Sequence, residues 1–251
     1  MSDPTTPFIE LNRVSRSFGN QQVLKNVSLV VPRGSTRVIL GSSGSGKSVL
    51  MKHMIGLLPP ESGEVIIDGE NISQMKPDEL LRVRRKFGMV FQQSALFDSM
   101  TVAENVAFPL HEHRQLTTAQ VAKKVAEKLA LVGLEEMGHK LPAELSGGMR
   151  KRVGLARAVV LDPLCVLYDE PTTGLDPLMT DQVDEMILAA QKTLRVTSVV
   201  ISHDIGSALK VADDIAVIDG GHIIEDCKAD ALTNSTHPFV QRFLNTWLHK
   251  R

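Results

Sequence analysis

The sequence predicts an α/β fold: a parallel-sheet core, opened by an antiparallel β portion and interrupted by a helical insert. Three observations carry that expectation. Apolar, β-branched runs at Thr36–Leu40, Cys165–Tyr168 and Thr197–Ile201 have the continuous hydrophobicity of strands buried on both faces. A glycine- and serine-rich segment, Gly41–Ser48, follows the first of these directly and leads into a helix. Between about Ser94 and Asp162 the pattern turns helical, most clearly over Thr118–Val132, where alanines, valines and leucines recur at helical spacing.

Taken in order, Phe8–Val14 and Val23–Val31 read as strands, the second closed by Pro32-Arg-Gly34. Leu57–Glu64 is a Pro/Gly turn, followed by strand-like Val65–Ile67 and the turn Asp68-Gly69. After the insert, helix-like Pro177–Leu194 separates the two later buried strands. Ile215–Ile218, Gly220-Gly221 and His222–Glu225 form a closing hairpin. Pro238–His249 is an amphipathic helix whose Phe239, Val240, Phe243, Leu244, Trp247 and Leu248 make one apolar stripe, expected to dock on its own domain. The division expected within a single domain, 1–251, is a core from 8–93 and 163–236, a helical subdomain from 94–162 and a C-terminal helix from 237–251.

With 251 residues, 43% of them hydrophobic, the chain can bury a sizeable core, which excludes disorder of the whole. Its 28 basic and 29 acidic residues leave no global basic footprint, so nucleic acid is not an expected partner. The run Arg82-Val-Arg-Arg-Lys86 reads as a solvated helix face. Cys165 and Cys227 have no CxxC partner, which excludes a cysteine zinc site and fits a reducing compartment. The opening Met-Ser-Asp-Pro-Thr-Thr-Pro is not a secretion signal, and no apolar run reaches the roughly 18 residues of a membrane span, so any membrane attachment is expected through another component.

Gly41-Ser-Ser-Gly-Ser-Gly-Lys-Ser48 fits G-x-x-x-x-G-K-[ST], the phosphate-binding P-loop, in its required context between strand and helix. The nucleotide-binding candidates are therefore Gly41, Ser42, Ser43, Gly44, Ser45, Gly46, Lys47 and Ser48, with Val49 after them. The glycines let successive N–H groups face a phosphate, Lys47 reaches the β- and γ-phosphates, and the Ser48 hydroxyl coordinates Mg²⁺. The apolar strand ending in Asp169 and Glu170 supplies a carboxylate to hold Mg²⁺ through water and another to polarise an attacking water. Standing alone, such a pair could equally be a solvated turn. His203 ends another apolar strand at the same sheet edge and is a candidate γ-phosphate contact. Gln92 ends Met89-Val-Phe91, where its amide can ligate Mg²⁺ or water. Phe18, in Arg16-Ser-Phe-Gly-Asn20, either stacks on an adenine or packs in the core.

One stretch stands apart. "ELSGGMRKRV", Glu144–Val153, is a second helix start suited to an anion, with Ser146, Gly147 and Gly148 but no lysine or Mg²⁺ ligand of its own. Either the chain binds two anions, or this is half of a site completed by another copy.

Together these residues resemble the ATP-binding subunits of ABC transporters, over Phe8 to Ala231. The resemblance makes Gly41–Ser48 the Walker A loop of a RecA-like P-loop NTPase core, Gln92 the Q-loop, Leu145–Met149 the signature, Val166–Asp169 Walker B with catalytic Glu170, Asp176 the D-loop and His203 the switch histidine. It implies ATP and Mg²⁺ as cofactors, and a head-to-tail homodimer in which Ser146, Gly147, Gly148 and Asp176 complete the partner's site. Met149 departs from the common LSGGQ. "LSGGMRKRVGLARA" with "VFQQSALFDSMTVAENVAFPLHEH" is similar to the ATPases of Mce-associated (Mla/Mkl-type) phospholipid transport. That narrower resemblance implies a membrane permease received at 94–113, an Mce-domain protein and sometimes a STAS-domain protein, with the ATPase peripheral on the cytoplasmic face of the inner membrane. Amino-acid importers and lipoprotein-releasing ATPases share the motifs but usually keep Gln at the position of Met149. A soluble ABC ATPase usually carries two cassettes, a coiled-coil insert or a basic arm, none of which fits this length and charge.

Overall fold

The computed structural model describes residues 6–112 and 116–248. The expectations for Met1–Thr5, His113 and His249–Arg251 lie outside the described residues. β1 (Ile9–Phe18) and β2 (Gln21–Val31) form an antiparallel hairpin, and β4 (Ser62–Ile67) and β5 (Glu70–Asn71) complete a four-stranded sheet ordered β2-β1-β4-β5. β1 runs past its expected end at Val14 because register shifts between Leu11 and Ser17 break the alternation that marks a strand in sequence.

The second sheet is ordered β10-β9-β3-β8-β7-β6, from β3 (Thr36–Leu40), β6 (Phe87–Val90), β7 (Cys165–Asp169), β8 (Thr197–Ser202), β9 (Asp214–Asp219) and β10 (His222–Lys228). All its pairings are parallel except the closing β9–β10 hairpin. Around it stand α1 (Lys47–Met54), α2 (Pro77–Arg84), α3 (Val102–Glu112), α4 (Thr118–Leu131), α5 (Gly147–Ala158), α6 (Pro177–Leu194), α7 (Ile205–Val211) and α8 (Pro238–Leu248). α4 begins on a capping box in which Thr117 Oγ1 accepts from Gln120 N and Gln120 Oε1 accepts from Thr117 N, and it stops before Gly133 at φ 66°.

Strand periodicity sorts the apolar residues between two cores. Val38, Leu40, Val166, Tyr168, Val200 and Val217 face one cluster, which also holds Val106 of α3, Val125 and Leu129 of α4 and Val153 of α5. Ile39, Leu167, Val199, Ile201 and Ile218 face the other, with Leu50 and Met54 of α1 and Ile9, Leu11 and Ile67 of the antiparallel sheet. The helical insert thus has no core of its own; it shares one with the parallel sheet.

α8 docks on its own domain, as its apolar stripe predicts. Val240 and Leu244 are buried, and a Cβ built on Gly206 of α7 would stand 3.0 Å from Trp247 Nε1. In the Arg82–Lys86 run Arg82 and Arg85 stay exposed, as a solvated face requires, while Arg82, Arg84 and Lys86 also engage partners. Arg82 reaches both carboxylate oxygens of Glu70, at 2.8 and 2.5 Å. Lys86 binds Asp68 and Glu70, and Arg84 donates to the Ile55 and Gly56 carbonyls.

Candidate active site

β3 delivers the chain at Gly41 and α1 takes it up at Lys47, so the loop is pinned at both ends. A Cβ at Gly41 would lie 2.4 Å from the Ile218 carbonyl oxygen, so that position admits only glycine. Gly46, the residue before α1, has φ 110°, and a Cβ there would meet Leu24 Cδ2 at 2.9 Å. No side chain caps α1, which leaves its first N–H groups for an anion. Lys47 Nζ is buried within the loop, donating to the carbonyls of Gly41 at 2.7 Å and Ser42 at 2.9 Å.

A cavity of about 620 Å³ opens beside this loop. Ser42, Ser43, Gly44, Gly46, Lys47, Ser48 and Val49 line one side. Gln92, Asp169, Glu170 and His203 reach it from beyond the carboxyl ends of β6, β7 and β8, the edge where open α/β sheets collect ligands. Val23 of β2, Thr173 and Phe243 of α8 also line it. None of these three stands in a recognisable motif; only Thr173, in the turn after Glu170, sits where nearness to a carboxylate pair could have drawn notice.

Glu170 is the hub of the charged cluster. Its backbone takes the left-handed φ of 49°, pinned by its N–H donating to Ile201 O at 2.9 Å, a strain that persists only where the surroundings enforce it. His203 Nδ1 lies 2.6 Å from Glu170 Oε2, Thr173 Oγ1 donates to the same oxygen at 3.0 Å, and Lys47 Nζ stands 3.6 Å from Oε1. Burial lowers the Lys47 pKa, and Glu170 opposes that shift. Burial also raises the Asp169 pKa, with the Glu170 charge adding to it and Lys47 opposing. Asp169, Ser48 and Gln92 line the same cavity and offer oxygen donors of the kind that a divalent cation takes.

Other expected residues stand apart from this cavity. Gly41 and Ser45 support the loop from behind, both buried and outside the lining. Phe18 ends β1 with 45% of its surface exposed and the Arg16 guanidinium carbon 5.1 Å from its ring centre, which rules out the core-packing alternative. Ser146, Gly147 and Gly148 do not line the cavity. Ser146 Oγ accepts from Met149 N at 3.3 Å as the cap of α5, and a Cβ on Gly148 would meet Met179 Cε at 2.3 Å. Asp176 caps α6, accepting from Met179 N at 2.9 Å. Lys151, in the basic run after Gly148, carries no sequence signal that sets it apart from its neighbours, yet its ammonium is buried against the Gln92 and Pro171 carbonyls.

Residues 24–173 match the ABC transporter family. The chain is 44% identical over 237 residues to the probable ribonucleotide transport ATP-binding protein mkl of Mycobacterium bovis, covering 94% of this chain and 66% of that protein. It therefore spans just under two thirds of that relative's length. It is 39% identical over 245 residues to the intermembrane phospholipid transport system ATP-binding protein MlaF of Escherichia coli K12, covering 98% and 91%. Among solved structures, a dimeric, post-hydrolysis ATP-binding cassette bound to ADP and Pi superposes with TM-score 0.78 at 33% identity, over 88% of this chain and 98% of that one. Another, cbiO1 from Clostridium perfringens, part of the ABC transporter complex cbiONQ, gives 0.86 at 28% identity, over 97% and 96%. With a P-loop, two carboxylates and a histidine gathered at one sheet edge, and with these likenesses, the chain belongs to the ABC transporter family.

Proposed function

We propose that two copies of this chain close head to tail on two Mg²⁺·ATP and drive a membrane permease that moves phospholipid. One observation carries the site assignment: Lys47, Ser48, Asp169, Glu170 and His203 share a cavity that Ser146–Gly148 of the same chain does not reach. The helix start at Ser146 then serves a second copy, a reading supported by the dimeric state of the ADP-bound relative. Lys47 and the uncapped start of α1 hold the β- and γ-phosphates. Ser48, Gln92 and Asp169 hold Mg²⁺, which when bound offsets phosphate charge. Glu170 orients and polarises the attacking water, with His203 bonded to it at 2.6 Å. The exposed ring of Phe18 offers a face for adenine.

No described helix is long and apolar enough to cross a membrane. The proposed attachment is through the permease, on the cytoplasmic face of the inner membrane. Phe91 and Phe97 are 39% and 41% exposed beside and within the 94–113 segment, which supports that segment as the permease-facing surface. An Mce-domain protein and a STAS-domain protein complete the proposed assembly. Relatives named for phospholipid, ribonucleotide and methionine transport match this chain to similar extents. Met149 and the 90–113 stretch favour lipid. Co-purifying the permease complex and identifying its bound molecule by mass spectrometry tests this: phospholipid is the expected result, and an amino acid or nucleotide overturns it.

A further inference from the structure

The basic run after Ser146-Gly-Gly148 is split by the fold. Arg150 is exposed, whereas Lys151 is 5% exposed. The Lys151 ammonium donates to the Gln92 carbonyl at 2.6 Å and to the Pro171 carbonyl at 2.5 Å. Among the described residues no acidic side chain pairs with it, and burial lowers its pKa. Burying a cation costs desolvation, which here is offset only by its hydrogen bonds to these two carbonyls.

What the two carbonyls belong to supplies a reason. Gln92 lines the nucleotide cavity, and Pro171 directly follows Glu170. The same face of α5 continues the grip at spacings of three residues. A Cβ on Gly154 would sit 3.4 Å from Ser94 Cβ, and the Arg157 guanidinium donates to Ser94 O and Ala95 O, each at 2.7 Å. Ser94 and Ala95 hold φ of 61° and 46°, backbone that side-chain-bearing residues seldom adopt. One helix therefore starts at Ser146, clamps the strained loop after Gln92 and reaches the turn that carries Glu170.

We propose that Lys151 is a positioning residue for hydrolysis: its ammonium ties α5 to the Gln92 and Pro171 backbones, so that the helix start, the loop after β6 and the Glu170 carboxylate hold one geometry. Contact of Ser146 with a partner's nucleotide then reaches Glu170 of its own chain through a single rigid helix. The inference rests on the roles proposed above for Gln92 and Glu170.

Lys151→Met keeps the stem and removes the donor, leaving two carbonyls unpaired. In the full-length chain kcat should fall about tenfold to a hundredfold, the loss that follows from about an ångström of misplacement at a reacting group. KM for ATP and the affinity for a fluorescent ATP analogue should stay within about twofold, and Lys151→Arg should restore kcat to within about threefold of wild type. If Lys151→Met does not fold, Lys151→Gln, which keeps one donor, takes its place, with the same split between kcat and KM expected. An unchanged kcat, or kcat and affinity falling in parallel with no rescue by arginine, overturns the inference. Glu170→Gln separates the two levels: if that variant hydrolyses normally the site assignment itself fails, whereas if it is inactive and Lys151→Met is normal, only the positioning role fails.

Discussion

Replacing Glu170 with glutamine separates chemistry from architecture, because the structure allows both effects to be sized. The amide oxygen can still accept from Thr173 Oγ1, now at 3.0 Å, and Lys47 keeps its carbonyl partners at 2.7 and 2.9 Å. What folding loses is the charge attraction between Glu170 and Lys47 across 3.6 Å, longer than a direct hydrogen bond, together with the charge assistance in the bond to His203. Partly buried contacts of that kind contribute about 1 kcal/mol, or about 2–4 °C in melting temperature for a chain of this size. The chemical step loses far more: removing a general base costs about 10²- to 10⁴-fold, about 3–5 kcal/mol at roughly 1.4 kcal/mol per decade. Phosphate release at saturating Mg²⁺·ATP should therefore fall at least about a hundredfold while nucleotide affinity and melting hardly move. Size-exclusion chromatography with ATP should trap a dimer. Turnover within about threefold of wild type would refute the assigned role, and a melting temperature lowered by more than about 10 °C with lost nucleotide binding would make Glu170 structural instead.

Lys47→Ala should abolish phosphate release and weaken ATP binding, since the buried ammonium is the cation built into the loop; wild-type turnover would refute the P-loop assignment. Asp184 is buried, bonded by Ser207 Oγ, and its pKa is pushed up to about 6, chiefly by burial. A carboxyl raised in the folded state stabilises fully below its unfolded value and loses that contribution as pH rises through about 6, so wild type should lose roughly 1 kcal/mol between pH 5 and 7 relative to Asp184→Asn. Parallel stability curves for the two proteins across that range would contradict it. Truncation after Thr236 removes buried Val240 and Leu244, each burying about 1.5–3 kcal/mol of apolar surface, and should lower the melting temperature by several degrees; unchanged melting would mean that α8 is not docked on its own domain.

Where a constraint is local, the sequence alone was sufficient. The P-loop is contiguous, so its strand, its glycines and its helix could all be read from one stretch, and Asp169, Glu170, His203 and Gln92 were visible as polar residues ending apolar runs. The two-faced burial of the central strands follows from their continuous apolar runs, and the α/β class from those runs together with the glycine-rich segment and the helical pattern between them. Other features depended on residues distant in the chain. The end of β1 is hidden in the sequence because bulges scramble its alternation, the start of α2 before Arg82 leaves no clear signal, and α7, a helix of seven residues, has too little periodicity to show. Phe18 had two readings, and only the exposure of the β1 end decided against the core. Val23 and Phe243 reach the cavity from opposite ends of the chain, with no motif to announce them. Lys151 is the sharpest case, since its partners lie 59 and 20 residues away and a lysine in a basic run looks like any solvated charge. Sequence determined the chemistry because reactive groups must have particular identities at fixed local spacing. Only the tertiary structure decided which backbones that chemistry leans on, because a carbonyl oxygen is the same on every residue and only packing selects the one that is held.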